Sequence, residues 1–344
     1  MKQLVKEVCL IRLVLIVLLV LYHSFAPFVG AWEPIGYTSS VYWWIGSLAY
    51  SCMLECFTLI SGWIYGVQYN TKGPVILDYR YLVKNKVKRL LIPSIIFSLI
   101  YILIFNQDLL SKPFPFIYSI IEGSGHMWYL PMLFWCFIGT ALIEKRGLKL
   151  YQGIILVILL SLLSFFHLPL RLNYTMEYML FFYFGYLIGK GKFNIKKFAK
   201  PRYMIYFGLG YLFVFTISKA YLIPVMQIFK SYSIASMILG GMTIRILHLV
   251  YSLCGVISII LISIYLINKK PNLLSNFWIN IGTCTFGIYL FQQFILKLHY
   301  YHTEILFSLP ESLIPWVAFG ITLILSYVFT IILKHYRWGY YLVG

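Results

Sequence analysis

Residues 8–31 read VCLIRLVLIVLLVLYHSFAPFVGA, and this stretch decides what kind of protein the chain forms. Its only ionisable side chains with a strong preference for water are Arg12 and His23, and most of the rest is apolar. A helix that crosses the hydrocarbon layer of a bilayer needs about 20 mainly apolar residues. The stretch is therefore predicted to be a transmembrane helix. It is too long for a signal peptide and has no convincing small-residue cleavage site, so we expect it to be retained.

Nine further stretches of similar character follow. The predicted fold is an all-α membrane bundle of about ten transmembrane helices, forming a single domain over residues 1–344. The predicted spans are Val8–Ala31, Ser47–Val67, Lys88–Phe105, His126–Ile143, Leu150–His167, Thr175–Lys190, Tyr203–Ala220, Leu247–Ile267, Trp278–Leu298 and Leu313–Lys334. The stretch Ser231–Asn268 is read either as one helix after a structured loop or as a re-entrant segment before a helix.

The composition supports a membrane location. Of 344 residues, 61% are hydrophobic and only 11% are charged, whereas soluble domains carry roughly 25% charged residues. The net charge of +18 would suggest nucleic-acid binding in a soluble protein. Here the basic residues fall between apolar runs, which is how loops orient a membrane protein, so we expect no nucleic-acid partner.

Lysine and arginine concentrate in alternate loops, as they do on the cytoplasmic side of multi-pass proteins. With the N-terminus inside, most of them fall in predicted cytoplasmic loops. These residues are Lys72, Arg80, Lys84, Lys86, Lys88, Arg89, Lys145, Arg146, Lys149, Lys190, Lys192, Lys196, Lys197, Lys200, Arg202, Lys269, Lys270, Lys334 and Arg337. An even number of spans preserves the alternation, so both termini are predicted to be cytoplasmic.

The cysteines give no sign of a disulfide framework. All six lie inside apolar runs, without the spacing typical of a zinc site, and we expect neither disulfides nor a metal. They are Cys9, Cys52, Cys56, Cys136, Cys254 and Cys284.

Two ionisable residues share the first predicted helix. Such groups cost about 2.5 to 3.5 kcal/mol inside a bilayer, so they often mark function. Arg12 and His23 are eleven positions apart, close to three helical turns, and so project from one face about 16 Å apart. Histidine is the usual general base near neutral pH. Alternatively, Arg12 extends to the lipid headgroups and His23 is a hydrogen-bonded residue at the membrane interface.

Glu55 lies well inside the second predicted helix. It is expected at about the depth of His23, where a carboxylate would orient the imidazole and raise its basicity. The alternative is a buried Glu–Arg or Glu–His pair that joins two helices. Ser61 and Gly62 follow on the same helix, and this pair favours close helix packing over a nucleophile.

Five motifs, in order and on corresponding helices, resemble those of the acyltransferase-3 family of bacterial membrane acyltransferases. They are Arg12 and His23 with ten residues between them, Phe57-Thr-Leu-Ile-Ser-Gly-Trp63, Lys86-Val-Lys-Arg-Leu-Leu-Ile-Pro93, His126-Met-Trp-Tyr-Leu130 and Gly287-Ile-Tyr-Leu290. The resemblance extends over essentially the whole chain. One departure is that Gln292 and Gln293 follow Tyr289, where the family often has a histidine.

The resemblance implies a function. Family members move an acyl group, usually acetyl, from acyl-CoA to a hydroxyl, commonly on a cell-surface or lipid-linked glycan. The chain is thus expected to be an O-acyltransferase of the bacterial cytoplasmic membrane, with acyl-CoA as co-substrate and a glycan as acceptor. His23 and Glu55 are the expected catalytic residues, and His23 acts either as a base or as a transient acyl carrier. Arg12 and Arg89 are expected to bind the CoA phosphates, for which fixed cations are suited.

Acceptor contacts are expected from aromatic and polar residues near the outer face. The expected substrate-binding residues are Trp128, Tyr129, His126 and Tyr289. Interfacial aromatic belts offer a simpler reason for much of the aromatic content. Because the sequence shows no soluble esterase-like domain of the kind some members append, we expect this chain to complete transfer alone or to pass the acyl group to another protein.

The competing reading is a transporter or flippase of a glycan or lipid-linked intermediate. Ten spans with intramembrane charges fit that function as well. A transporter needs no acyl-CoA, so dependence on acyl-CoA separates the two. A receptor or structural role would leave Arg12, His23 and Glu55 without a purpose.

Overall fold

A computed structural model of the chain describes residues 2–344, apart from the side chains of residues 2 and 305. The described residues form sixteen α-helices and no strand, which confirms the all-α prediction. In order, α1 to α16 are Lys2–Ser24, Ser40–Tyr50, Met53–Lys72, Tyr79–Lys86, Ile92–Phe105, Pro113–Glu122, Tyr129–Lys145, Leu150–Leu163, Leu172–Gly189, Pro201–Ile217, Ile223–Phe229, Ile234–Lys269, Asn276–Thr283, Thr285–Tyr301, Ile314–His335 and Arg337–Val343.

Six helical stretches of the described chain are long and apolar enough to cross a membrane. They are Ser40–Leu77, Tyr79–Phe105, Gly125–Lys145, Pro201–Phe229, Ile234–Lys269 and Glu311–His335. The pair α13 and α14, bent by 64° at its break, makes up to seven if it is one span. A multi-pass membrane bundle is therefore supported. The predicted count of ten and the predicted location of the termini are not confirmed.

Three predicted spans form helices that fall outside this set. The first, Val8–Ala31, ends as an α-helix at Ser24 and continues as a short 3₁₀ turn that contains Pro27. The fifth is α8, whose 14 residues extend only about 21 Å, less than the hydrocarbon thickness of about 30 Å. The sixth is α9, in which several polar residues interrupt the apolar run.

Helix α12 resolves the uncertain stretch Ser231–Asn268. It is one continuous helix of 36 residues, about 54 Å long, so it is longer than the hydrocarbon layer is thick. Arg245 and His248 lie three positions apart on it and therefore share one face.

The predicted span Trp278–Leu298 is broken where α13 meets α14, at Cys284. Thr283 and Thr285 flank the break, and β-branched residues of this kind are weaker helix formers than alanine or leucine. The 64° bend sets the direction in which α14 presents its side chains.

The chain divides into two compact units, each built from separate segments. The first unit comprises Met1–Met53, Ile92–Trp128 and Lys270–Gly344. The second unit comprises Leu54–Leu91 and Tyr129–Lys269. The predicted single domain stays a prediction.

In the first unit, α1 packs against α2, α13, α14 and α15. Its buried apolar side chains include Ile11, Leu15 and Leu19, spaced four apart along one face. This packing holds the end of α1, where His23 lies, inside the unit.

In the second unit, α3 and α9 approach closely through glycines. A Cβ at Gly62 would collide with the backbone carbonyl of Phe182, and Gly66, Gly185 and Gly189 are equally closed by backbone atoms of the facing helix. The close packing predicted for Gly62 is confirmed. Small residues at four-residue spacing allow this approach between membrane helices.

Candidate functional site

His23 occupies the last turn of α1 in the first unit. Its side chain is buried, and its ring stacks on Trp32 with 5.8 Å between centroids and 16° between planes. His126 approaches the same imidazole edge-on, with ring centroids 6.3 Å apart. The structure therefore brings together two histidines that are separated by about a hundred residues in sequence.

A turn that contains two glycines positions His126 beside His23. Gly123 and Gly125 have φ values of 86° and 58°, which only glycine adopts readily. A Cβ at Gly125 would also collide with the ring of Tyr101. The backbone N–H of Ser124 donates to the Ser98 hydroxyl at 3.0 Å, which fixes the turn to α5.

His126 is held firmly by α14. Its backbone N–H donates to Oε1 of Gln293 at 3.0 Å, and its Nδ1 lies 2.7 Å from the same oxygen. Its Nε2 lies 3.1 Å from the Leu290 carbonyl, and the Tyr289 hydroxyl donates to the His126 carbonyl at 2.5 Å. Both ring nitrogens thus face acceptors on α14.

His23 differs from His126 because one of its ring nitrogens, Nδ1, has no hydrogen-bond partner among the described residues. It lies beside the fully buried Gln292. Among the described residues, neither Nδ1 of His23 nor either polar atom of the Gln292 amide has a hydrogen-bond partner. An unpaired buried polar group costs about 1–3 kcal/mol, so such a pair points to a ligand or water.

A second polar cluster lies in the second unit. Nε2 of His248 is 3.1 Å from Oε1 of Glu55, and its Nδ1 is 3.5 Å from Oε1 of Glu177. Arg245 forms an ion pair with Glu177. Glu55 and Glu177 are buried, and within the described structure Oε2 of Glu55 has no hydrogen-bond partner.

This cluster contains the Glu–His pair that the sequence left open as an alternative for Glu55, and it joins α3 to α12. Orientation of His23 by Glu55 stays a prediction. Sequence reasoning missed Glu177 and gave Arg245 and His248 no role. Their common face on an apolar helix was the signal that could have found them.

The aromatic residues expected at the acceptor site occupy different settings. Tyr129 is buried in the second unit, where its hydroxyl lies 3.1 Å from the Thr58 hydroxyl. Trp128 is half-buried in the first unit, and Tyr289 is buried against His126 with ring centroids 5.1 Å apart. Of these three, Tyr289 has a direct structural link to the histidine pair.

The two arginines expected to bind phosphate lie in different units. Arg12 is half-buried on α1, near Cys9. Arg89 is exposed in a single π-helical turn, Val87–Leu91, near the side chain of Lys86. The Lys86 ammonium lies 3.5 Å above the centre of the Phe137 ring.

The first unit contains a cavity of about 580 Å³ near the end of α1. Three segments meet there: the chain after α1, the end of α5 and the end of α14. The lining residues are Ala31, Trp32, Glu33, Phe105, Asn106, Lys297, Tyr301 and His302. Trp32 belongs both to this wall and to the stack on His23.

The six cysteines all lie within the described residues, and all are free. In the same part of the chain, no group of three or more His, Cys, Asp or Glu side chains is arranged to hold a metal ion.

A family model described as "Acyltransferase domain" matches residues 5–335, nearly the whole chain. The chain is therefore a multi-pass membrane enzyme of the acyltransferase class. It belongs to the acyltransferase-3 family, as its motifs suggested. The family implies an acyl donor and a carbohydrate acceptor that receives the acyl group on a hydroxyl. A comparison with curated proteins and a comparison with solved structures gave no significant match.

Proposed function

We propose that this enzyme transfers an acetyl group from acetyl-CoA to a hydroxyl of a cell-surface or lipid-linked glycan, in the cytoplasmic membrane of a bacterium. The observation that supports this most is the buried His23 with an unpartnered Nδ1 beside the unpartnered amide of Gln292. A buried imidazole with an unpartnered Nδ1 is suited to exchange protons with a substrate at that nitrogen.

In the proposed reaction, His23 accepts the proton of the acceptor hydroxyl. The oxygen attacks the thioester carbonyl and forms a C–O bond, the C–S bond breaks, and CoA leaves as a thiolate that takes up a proton. General base catalysis of this kind contributes about 10²- to 10⁴-fold to a rate.

Gln292 is proposed to stabilise the negative charge that develops during the reaction. Negative charge develops on the carbonyl oxygen during attack, and a preorganised N–H donor in a dry site stabilises it strongly. The Gln292 amide is completely buried and its N–H groups have no partner in the described chain. We assign it as the donor to this oxygen.

His126, Gln293 and Tyr289 act as positioning residues. Their mutual hydrogen bonds fix the turn that places the His126 ring 6.3 Å from His23.

The donor is proposed to bind through cations on the predicted cytoplasmic side. Arg89 is exposed, and Lys86 lies near both Arg89 and Lys72. Like charges gathered in one place favour a polyanion such as the phosphates of CoA. Arg12 is retained as a second candidate.

The catalytic role of Glu55 and substrate contacts from Trp128 and Tyr129 stay predictions. Oε1 of Glu55 already faces His248, so only Oε2 is available to a substrate group. The Tyr129 hydroxyl faces Thr58.

The test supplies membranes containing the protein with radiolabelled acetyl-CoA and follows the label into the glycan fraction. His23→Ala should lower incorporation by about 10²- to 10⁴-fold, the contribution expected of a general base. His299→Ala is the matched control, because His299 bonds to the Ile295 carbonyl of its own helix and should keep activity.

Equal incorporation by folded His23→Ala and wild type would refute the role of His23. Absence of label in every glycan offered to well-folded wild-type protein would refute acetyl transfer to a glycan.

A further inference from the structure

The cavity at the end of α1 has a wall of aromatic rings and unpartnered polar side chains. Trp32, Phe105 and Tyr301 provide the rings. The side chains of Glu33 and Asn106 make no hydrogen bond or ion pair with another described residue. The Glu33 backbone carbonyl, by contrast, accepts a hydrogen bond from the Tyr301 hydroxyl at 2.8 Å.

Lys297 is the cation of this cavity. Its ammonium lies 5.7 Å from the centre of the Trp32 ring, 5.2 Å from that of Tyr101 and 5.6 Å from that of Phe105. Glu33 acts on it electrostatically, yet in the described structure no carboxylate lies within 4 Å of it and no acceptor binds it. Three aromatic rings therefore hold an ammonium whose hydrogen-bond donors remain available.

His302 completes the polar set. Its ring packs against Phe105 with centroids 5.6 Å apart, and its ring nitrogens bond to no other described residue. A carboxylate, an amide, an ammonium and an imidazole thus surround one space while keeping their hydrogen-bonding capacity.

Trp32 links the cavity to the histidine pair. The indole stacks on His23 and lines the cavity, so a ligand packed on Trp32 shares a wall with the imidazole. In the topology predicted from loop charge, the ends of α1, α5 and α14 all lie outside the cytoplasm. That is the side on which a cell-surface glycan is found.

We propose that this cavity binds a pyranose residue of the acceptor glycan, with the sugar ring against Trp32 and its hydroxyls bonded to Lys297, Glu33 and Asn106. This inference rests on the proposed function and adds the site and the binding mode of the acceptor.

The residues that line the cavity complement the chemical groups of a sugar. One face of a pyranose carries C–H groups that pack on an aromatic ring, and its hydroxyls both donate and accept hydrogen bonds. Glu33 accepts, Lys297 donates, and Asn106 does both. About 580 Å³ falls within the usual range for a small-molecule site and accommodates at least one ring.

The experiment measures sugar binding apart from acyl transfer. Protein in lipid nanodiscs, free of sugar-based detergent, is titrated with methyl glycosides of glucose, galactose, N-acetylglucosamine and glucuronic acid, and binding is followed by saturation-transfer NMR. At least one glycoside should bind, and Lys297→Met should weaken it at least tenfold. Lys219→Met, a half-buried lysine of α10–α11 outside the cavity, is the matched control.

Glu33→Gln provides a second variant on an exposed residue, for which misfolding is not expected. It should weaken binding severalfold.

The outcomes separate this proposal from the proposed function. Sugar binding that is lost in Lys297→Met, in a protein that transfers no acetyl group, supports the cavity and overturns the function. Acetyl transfer with an acceptor KM unchanged in both cavity variants supports the function and overturns the cavity. Failure of all four glycosides to bind wild type also overturns the cavity.

Discussion

His23 in the first unit is buried and His248 in the second is half-buried, and their surroundings are opposite. His248 has a carboxylate facing each ring nitrogen, and Arg245 balances one of these carboxylates. His23 has neutral neighbours, Trp32 and Gln292, and no partner at Nδ1 within the described structure. The His248 imidazole is part of an ion network, whereas Nδ1 of the His23 imidazole is left available.

The difference shows how to separate a structural histidine from a reactive one. A ring fixed by two acceptors stabilises the helices that supply them, but it has no lone pair free for a substrate proton. A buried ring with one unpartnered nitrogen lacks a hydrogen bond that a substrate can supply. Removing each type should therefore affect different measurements.

The largest effect is expected from Arg245→Met in the second unit. The change leaves the buried Glu177 carboxylate without its arginine, which typically lowers the free energy of unfolding by about 3–5 kcal/mol. Denaturant-induced unfolding in mixed micelles measures this loss. Arg202→Met, at an exposed arginine, should change it by less than about 1 kcal/mol. Equal stability of the two variants would contradict a structural role for the cluster.

A smaller effect, on rate rather than on stability, is expected from Gln292→Met in the first unit. Loss of an oxyanion donor lowers kcat by about 10²- to 10³-fold. Stability should stay the same or rise, because an unpaired buried amide is removed.

A change at the neighbouring Gln293 is the control, because it is expected to lower stability. Gln293→Leu removes the acceptor of the His126 backbone N–H and should lower the free energy of unfolding by about 1–3 kcal/mol. If Gln292→Met lost stability and kept its kcat, the assignment of its amide to the oxyanion would be wrong.

The smallest effect is expected from Ser61→Ala in the second unit. The Ser61 hydroxyl donates to the Phe57 carbonyl of its own helix at 2.9 Å, so it is not placed as a nucleophile. Acetyl transfer should stay within about twofold of wild type, and unfolding within about 0.5 kcal/mol. Ser263→Ala, which removes the same type of bond to Ile259, is the control. A large, specific loss of activity in Ser61→Ala would show that the second unit carries chemistry.

The sequence predicted the features that depend on local pattern. Apolar runs predicted the helices, and the Ser61–Gly62 pair predicted close packing because small residues leave room for a facing backbone. It also placed a functional candidate at His23, since an imidazole in an apolar run is costly.

The features that sequence missed depend on contacts between distant segments. No local pattern shows that Glu55 meets His248, or that Lys297 lies above Trp32, because those pairs are set by helix packing. The predicted count of ten spans is not confirmed, because hydropathy does not show where α8 ends or where Cys284 bends a helix. Gln292 was noted only as a departure from the family, and its position beside His23 required the fold.

The first unit is assembled from three segments that are far apart in the chain. During synthesis, His23 emerges near the start of translation, whereas Gln292 emerges more than 260 residues later. At roughly 5–20 residues per second, more than ten seconds pass between the synthesis of His23 and that of Gln292. An unfinished chain inserted in the membrane therefore holds His23 without its neighbour, and the proposed reaction centre can form only late in biosynthesis.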